Sequence, residues 1–265
     1  AALEERKVNE NSRFFCENGA WNFGSHTLHD HQPHGWLTFS EVIEQSSNIG
    51  TVKVAQLLGP PLLHKYIKSY GFGAKTGLEL HGEINGMNKD PRNWSKTSIG
   101  AVPIGQEVGV TALQLVAAVS VIANGGQLVK PYLVKEIRDQ YGETVKYFSP
   151  APVRRVISES TAARMRKILT KVIEQGTGKL AKPASFSAAG KTGTAQKLDP
   201  NGAYSHDKFV GSFIGFAPAD NPQIAMVVTL DEPHPYYYGG VVSAPVFKNV
   251  AEDVLKYLNY NLNTE

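Results

Sequence analysis

The stretch AAGKTGTAQK, residues 188–197, carries two overlapping chemical signatures. Gly190-Lys191-Thr192 is the tail of a phosphate-binding loop, in which backbone amides at a helix start cradle phosphate oxygens. Lys191-Thr192-Gly193-Thr194 is the edge strand of a serine acyl-transfer site. The phosphate loop needs its first glycine five residues before Gly190, and that position is Ser185. It must also run straight into a helix, whereas Gly193 follows at once and the chain beyond, KLDPNGAY, is turn-like. The nucleotide chemistry therefore fails on spacing and on context.

An acyl-transfer site of this kind joins a Ser-x-x-Lys nucleophile, a Ser-x-Asn loop and a Lys-Thr-Gly strand. The last two occur here in order. Ser46-Ser47-Asn48 lies between two helical segments, where a loop can project side chains into a cleft. Gly193, lacking a side chain, lets a substrate backbone lie against the strand. The nucleophile motif is read as missing: no Ser-x-x-Lys is recognised anywhere in residues 1–265. Each residue also has a plain structural use: Ser46 and Asn48 as helix caps, Lys191 as a strand-edge charge, Thr192 and Thr194 as strand formers. Their joint occurrence in the required order favours the chemistry.

A second cluster, His26, His29, Asp30, His31 and His34, falls within nine residues, with Cys16 upstream. Such side chains can ligate zinc. Pro33 and Gly35 interrupt the stretch, so no regular helix fixes their geometry, and neither a metal nor a cofactor is assigned.

The elements that must position these groups alternate between helical and strand patterns. Residues 9–36 read as loop. Thr38-Phe39-Ser40-Glu41 is a capping box opening a helix to about Gln45. A helix follows Ser46-Ser47-Asn48 and stops at Gly59-Pro60-Pro61, and another covers 62–70. After a loop-rich region, Thr111–Gln114 forms a second capping box, opening the apolar helix LQLVAAVSVIA, closed by Asn124-Gly125-Gly126. Further on, a hairpin is predicted about Tyr141-Gly142. Ser158 caps a helix with Met165, Ile168, Leu169, Val172 and Ile173 on one face. Strands are predicted near 188–197, 209–218 and 222–233. The last helix, 245–258, is read as presenting Val246, Val250, Val254 and Leu258 as its stripe. The pattern is α+β, an antiparallel sheet with helices against it beside a largely helical lobe.

Hydrophobic residues make up 42% and charged residues 19% of the 265-residue chain, a globular composition. A net charge of +3 is too small to argue for nucleic acid. No stretch has the length of a membrane span and no signal-peptide pattern opens the chain. The single cysteine, Cys16, excludes an intrachain disulfide.

With these motifs in place the chain resembles the transpeptidase domain of class B penicillin-binding proteins, most closely the division type. QSSNIGTVKVAQLLG, IGQEVGVTALQLVAAVSVIANGG, GKTGTAQK, FVGSFIGFAP and YYYGGVVSAPVFKNVAEDVLKYL carry the likeness. One departure stands out: many members have Gly-Gln-Gly where this chain has Gly105-Gln106-Glu107. The resemblance implies a serine β-lactamase/transpeptidase-like fold. Residues 1–265 would form a partial domain, with a helical lobe over roughly 9–130 and a sheet-rich part over roughly 131–265. It implies that AALEERKV continues a helix begun upstream, where the Ser-x-x-Lys nucleophile and lysine base would lie.

By the same resemblance, Ser46 would relay a proton to the leaving amine, Asn48 would bind the donor-peptide amide, and Lys191 would supply positive charge beside Ser46. Thr192 and Thr194 would bind the substrate carboxylate, Gly193 would admit the substrate backbone, and the Thr194 amide would form half of an oxyanion hole. The expected partners are peptidoglycan stem peptides, β-lactams and division-complex proteins. The expected location is the periplasmic face of the cytoplasmic membrane, reached through an N-terminal anchor absent from this chain. The competing class is a non-catalytic sensor of the same fold that binds β-lactam or peptidoglycan.

Overall fold

The computed structural model describes residues 1–24 and 26–258. Its centre is an antiparallel sheet in the order β11 (Ala189–Leu198), β12 (Tyr204–Ala217), β13 (Ile224–Asp231). The middle strand explains the layering. Its apolar run is buried on both faces, and a strand covered on both faces reads as a near-continuous apolar stretch. Phe213 points toward helix α7 (Ala244–Tyr257) and packs on Phe247 with ring centroids 4.8 Å apart. Phe216 points the opposite way, into the cluster of Val119, Leu169 and Val172. Those residues belong to α4 (Ala112–Ala123) and α5 (Glu159–Glu174). The sheet is thus sandwiched by α7 on one side and α4 with α5 on the other.

The predicted caps are realised. Thr38 and Glu41 form a reciprocal capping box on α1 (Phe39–Glu44), and Thr111 and Gln114 do so on α4. Gln114 is 1% exposed. Its side-chain oxygen accepts from Thr111 N (3.0 Å) while its nitrogen donates to the carbonyls of Ala74 (2.8 Å) and Asn85 (2.9 Å). One buried amide therefore starts the helix and fastens the glycine-rich 71–88 loop against it. Helix α2 (Asn48–Ser69) is broken at Gly59, whose φ of 72° belongs to the left-handed region. Pro60 and Pro61 restart it, as prolines can at a first turn.

Segment 9–36 differs from the loop expectation. It holds two small ribbons, β1 (Arg13–Phe15) with β4 (Trp36–Thr38) and β2 (Ala20–Phe23) with β3 (His26–His29). Strands of three or four residues are too short to declare a period. Short pairs β5 (Met87–Asn88) with β6 (Val108–Gly109), and β7 (Gln127–Lys130) with β10 (Ala151–Arg155), complete this part. The expected hairpin is present as β8 (Glu136–Arg138) and β9 (Thr144–Tyr147). The short helices α3 (Ser98–Ala101) and α6 (Gly239–Val242) lie next to the cleft elements.

The face of α7 needs correction. Its buried stripe is Ala244, Phe247, Ala251 and Leu255, whereas Val246, Val250 and Leu258 are exposed and Val254 is half-buried. Valines spaced by four imitate a face, but here the sheet takes the large Phe247 flanked by alanines that let the helix approach closely. Among the described residues, no helix is long and apolar enough to cross a membrane.

Candidate active site

The sequence places Ser46 where two helices meet. The Ser46 amide donates to Ile43 O (3.3 Å) and the Ser47 amide to Val42 O (3.0 Å), so Ser46 is the turn residue that ends α1. Ser47 at once becomes the N-cap of α2, accepting from Gly50 N at 2.9 Å. With no intervening linker, Ser46 is held at φ 59°. A non-glycine residue there carries about 1–3 kcal/mol of local strain, which persists only where the surroundings over-determine it.

Lys191 reaches this serine from the sheet. Its Nζ donates to Ser46 Oγ at 2.7 Å, across 145 residues of sequence. It also donates to Thr192 O (3.1 Å) and Thr192 Oγ1 (3.3 Å). Burial pushes the Lys191 ammonium down to about 8. At neutral pH the charged form still prevails, enclosed by protein and directed at the serine.

The remaining predicted residues gather around this pair. Asn48 Nδ2 donates to His29 O at 2.8 Å, which turns the amide nitrogen toward β3 and the oxygen away from it. Thr192 Oγ1 pairs with Thr177 Oγ1 at 2.8 Å, and Thr194 Oγ1 accepts from Gly239 N at 3.1 Å. Lys191 and the two threonines leave opposite sides of β11, an outer strand of the sheet. Gly193 has a reason beyond access for a substrate. It lies opposite Ser212 in the register, and a Cβ there would come within 2.5 Å of Ser212 Oγ. Gly239 is tighter still, since a Cβ would sit 2.1 Å from Ser212 O and 2.2 Å from Gly193 O.

Several contributors escaped sequence reasoning. Thr177, in the loop after α5, touches Thr192, and its amide donates to Glu44 O at 3.3 Å. An aromatic group caps one end of the cleft: Phe209 stacks on Tyr237 at 4.2 Å, Tyr237 lies 4.5 Å from Tyr238, and Tyr238 lies 4.7 Å from the His31 ring. The Tyr-Tyr-Tyr run at 236–238 was the visible signal, without a spacing rule to interpret it.

Glu107, the departure from Gly-Gln-Gly, adopts φ 58° and so keeps a glycine-like backbone. Ser98 Oγ donates to its carboxylate (2.8 Å), and its amide donates to Tyr204 Oη (3.0 Å). These bonds hold the unusual residue and tie its loop to β12.

The absence of Ser-x-x-Lys requires a correction. The pattern occurs literally once, as Ser205-His206-Asp207-Lys208, on β12. Residues three apart on a strand face opposite ways, whereas on a helix they share a face. Ser205 is fully buried and donates to Asp207 Oδ1 (2.7 Å), while Lys208 faces Asp199 at 3.5 Å. This is a turn-stabilising set, unrelated to the Ser46–Lys191 centre.

The histidine cluster is dispersed. His26, His29 and His31 are exposed, His34 is half-buried, and Asp30 turns to Ser47 and the start of α2. Cys16 is fully buried, with its thiol pushed up by burial. Among the described residues, no three His, Cys, Asp or Glu side chains are placed to hold a metal.

A helix-sandwiched antiparallel sheet, a Ser-x-Asn turn and a Lys-Thr-Gly-Thr strand joined through a lysine–serine bond define a serine β-lactamase/transpeptidase-like protein. The model of the penicillin binding protein transpeptidase domain matches residues 1–252, and the chain belongs to that family. It is 40% identical to stage V sporulation protein D of Bacillus subtilis over 97% of this chain and 40% of that protein. It is 33% identical to penicillin-binding protein PbpB of Mycobacterium tuberculosis, over 93% of this chain and 38% of that protein. Penicillin binding protein 3 of the same organism, crystallised with ampicillin, superposes with a TM-score of 0.91 at 32% identity, covering 100% of this chain and 61% of that one. The chain thus spans about two fifths of the length of these two relatives.

Proposed function

We propose that this chain supplies the Ser-x-Asn and Lys-Thr-Gly-Thr parts of a peptidoglycan D,D-transpeptidase that β-lactams acylate. The observation that carries this is the 2.7 Å bond from Lys191 Nζ to Ser46 Oγ, which joins the two motifs in one cleft. Support comes from the ampicillin complex of the structural neighbour and from the 34%-identical PenA of Neisseria flavescens, named a probable peptidoglycan D,D-transpeptidase. An apolar groove of about 270 Å³, lined among others by Val42, Val54, Ala55, Leu58, Ile122 and Met165, offers a seat for an apolar helix. We assign it to the helix carrying the Ser-x-x-Lys nucleophile, in sequence upstream of residue 1.

In this mechanism the upstream serine attacks the carbonyl of the penultimate D-Ala. The C–O bond forms as the serine proton passes to the upstream lysine, the negative charge moves to the carbonyl oxygen, and the Thr194 amide stabilises it as half of an oxyanion hole. Collapse breaks the C–N bond and expels D-Ala, its amine taking a proton delivered through Ser46. The amine of a second stem peptide then attacks the acyl-enzyme and restores the serine. Lys191 keeps a positive field beside Ser46, which favours the anionic intermediate. Thr192 and Thr194 exchange their present partners, Thr177 and the Gly239 amide, for the substrate carboxylate. Asn48 binds the donor amide through its side-chain oxygen. The lobes meet in this cleft, helical over roughly 9–130 and sheet-rich over roughly 131–265. The setting is the periplasmic face of the membrane, with division proteins as partners.

The test is acylation by a fluorescent penicillin, read by intact mass on residues 1–265 and on a version extended upstream through the nucleophile helix. Labelling of the extended chain alone supports the proposal. Labelling of neither favours a non-catalytic sensor, and labelling of the short chain relocates the nucleophile.

A further inference from the structure

We infer that Asp30 is the positioning residue of the Ser46-Ser47-Asn48 turn, an inference that rests on the acyl-transfer reading above. The end of β3 brings two acceptors to this turn. The His29 carbonyl accepts from Asn48 Nδ2 at 2.8 Å. The Asp30 carboxylate uses both oxygens: Oδ2 accepts from Ser47 Oγ at 2.6 Å, and Oδ1 accepts from Ile49 N at 3.0 Å.

Ser47 alone would suffice to cap α2, because its hydroxyl already accepts from Gly50 N. Asp30 adds orientation. By accepting the Ser47 hydroxyl proton it fixes that side chain in the rotamer whose lone pair meets Gly50. By accepting the Ile49 amide it fixes the first turn of α2 against β3. Both bonds are charge-assisted, and a carboxylate at a helix N-terminus is favoured by the helix dipole.

The neighbouring residue is the one that needs this. Ser46 is strained, its own amide bond to Ile43 O is long at 3.3 Å, and its hydroxyl must meet Lys191. The inter-helix turn is pinned on its α1 side by the Ile43 and Val42 carbonyls and on its α2 side by Asp30. Without the second pin, Ser46 can relax from its left-handed conformation and carry its hydroxyl away from the lysine. Asp30 touches neither Ser46 nor Lys191 in these bonds, so it acts through Ser47 and the helix start.

The experiment compares wild type, Asp30→Ala and Asp30→Asn in the upstream-extended protein. Stopped-flow acylation by a fluorescent penicillin separates the pre-acylation dissociation constant from the acylation rate constant. For Asp30→Ala the rate constant should fall on the order of 100-fold while the dissociation constant stays within about threefold, as for a displacement of about 1 Å in a reacting group. Asp30→Asn should recover most of the loss, since its amide still offers an acceptor to Ile49 N and a donor to Ser47 Oγ. Amide exchange should rise at Ile49 and Gly50 in Asp30→Ala, with the sheet unaffected. A folded Asp30→Ala that acylates at the wild-type rate overturns the inference and leaves the transpeptidase reading intact. A wild type that does not acylate overturns both. Should Asp30→Ala fail to fold, Asp30→Ser takes its place, and a rate order other than Asp, Asn, Ser overturns the inference.

Discussion

Lys191 has an ordinary value of 10.5 and is pushed by burial to about 8. Two consequences follow at different pH. If the ammonium beside Ser46 is the working form, the acylation rate constant should fall as pH rises through about 8. A pH–rate profile of the upstream-extended protein with a fluorescent penicillin checks this, and a flat profile to pH 10 removes charge from the role of Lys191. Stability moves the other way. Between about 8 and 10.5 the unfolded chain binds more protons at this site than the folded one, so folding becomes more favourable as pH rises across that window. Denaturant titrations of wild type and Lys191→Met, which lacks the titrating group, should diverge there. On the proposed mechanism, Ser46→Ala in the upstream-extended protein should lower the acylation rate constant by about 100- to 10,000-fold, the usual range for general acid–base groups. Residue type and spacing single out Ser46, Asn48 and Lys191 in the sequence, and the fold brings Lys191 to Ser46. The bonds of Thr177 to Thr192 and of Asp30 to Ser47 were not legible, because each is made only after the chain has folded back on itself.

Among the elements, the caps are the most legible features and the easiest to challenge. Thr111→Ala removes the acceptor for Gln114 N and should cost about 1 kcal/mol in denaturant titration. Gln114→Ala should cost more, because it removes the hydrogen bonds to the carbonyls of Ala74 and Asn85 as well as the cap, at about 1 kcal/mol for each bond lost. An order in which Thr111→Ala is the worse variant would mean the 71–88 loop is held by other contacts. The strands over 209–218 and 222–233 were legible from their apolar runs, and α4 and α5 from their apolar faces and caps. The face of α7 was not, since a stripe of valines at spacing four competes in the sequence with Phe247, Ala251 and Leu255. Only the shape of the opposing sheet decides between them. The ribbons of 13–38 were hidden by their shortness.

At the scale of the molecule, the first turns of the chain are tied to α5. Arg164 Nη2 donates to Glu10 at 2.7 Å, and Glu4 accepts from the Ser158 amide and hydroxyl. The Arg164 guanidinium holds the Glu10 carboxyl down to about 2, against an ordinary 4.5. The stabilisation from this pair is complete above the ordinary value and is lost as pH falls toward 2. Thermal melts of wild type and Arg164→Met should therefore differ at pH 7 and converge as pH approaches 2. Persistence of the full difference at pH 2 would assign the effect of Arg164 to packing. The separation of Ser46 from Lys191 by 145 residues bears on how the protein matures. Contacts this distant in sequence demand a large loop-closure entropy and form late, after local helices and hairpins. A chain in which the α1–α2 turn or the sheet is misfolded has no Ser46–Lys191 pair at all. In the upstream-extended protein, a covalent inhibitor that reacts only at the assembled centre would count finished molecules, and the unreacted fraction in a refolding time course would report the slowest docking step.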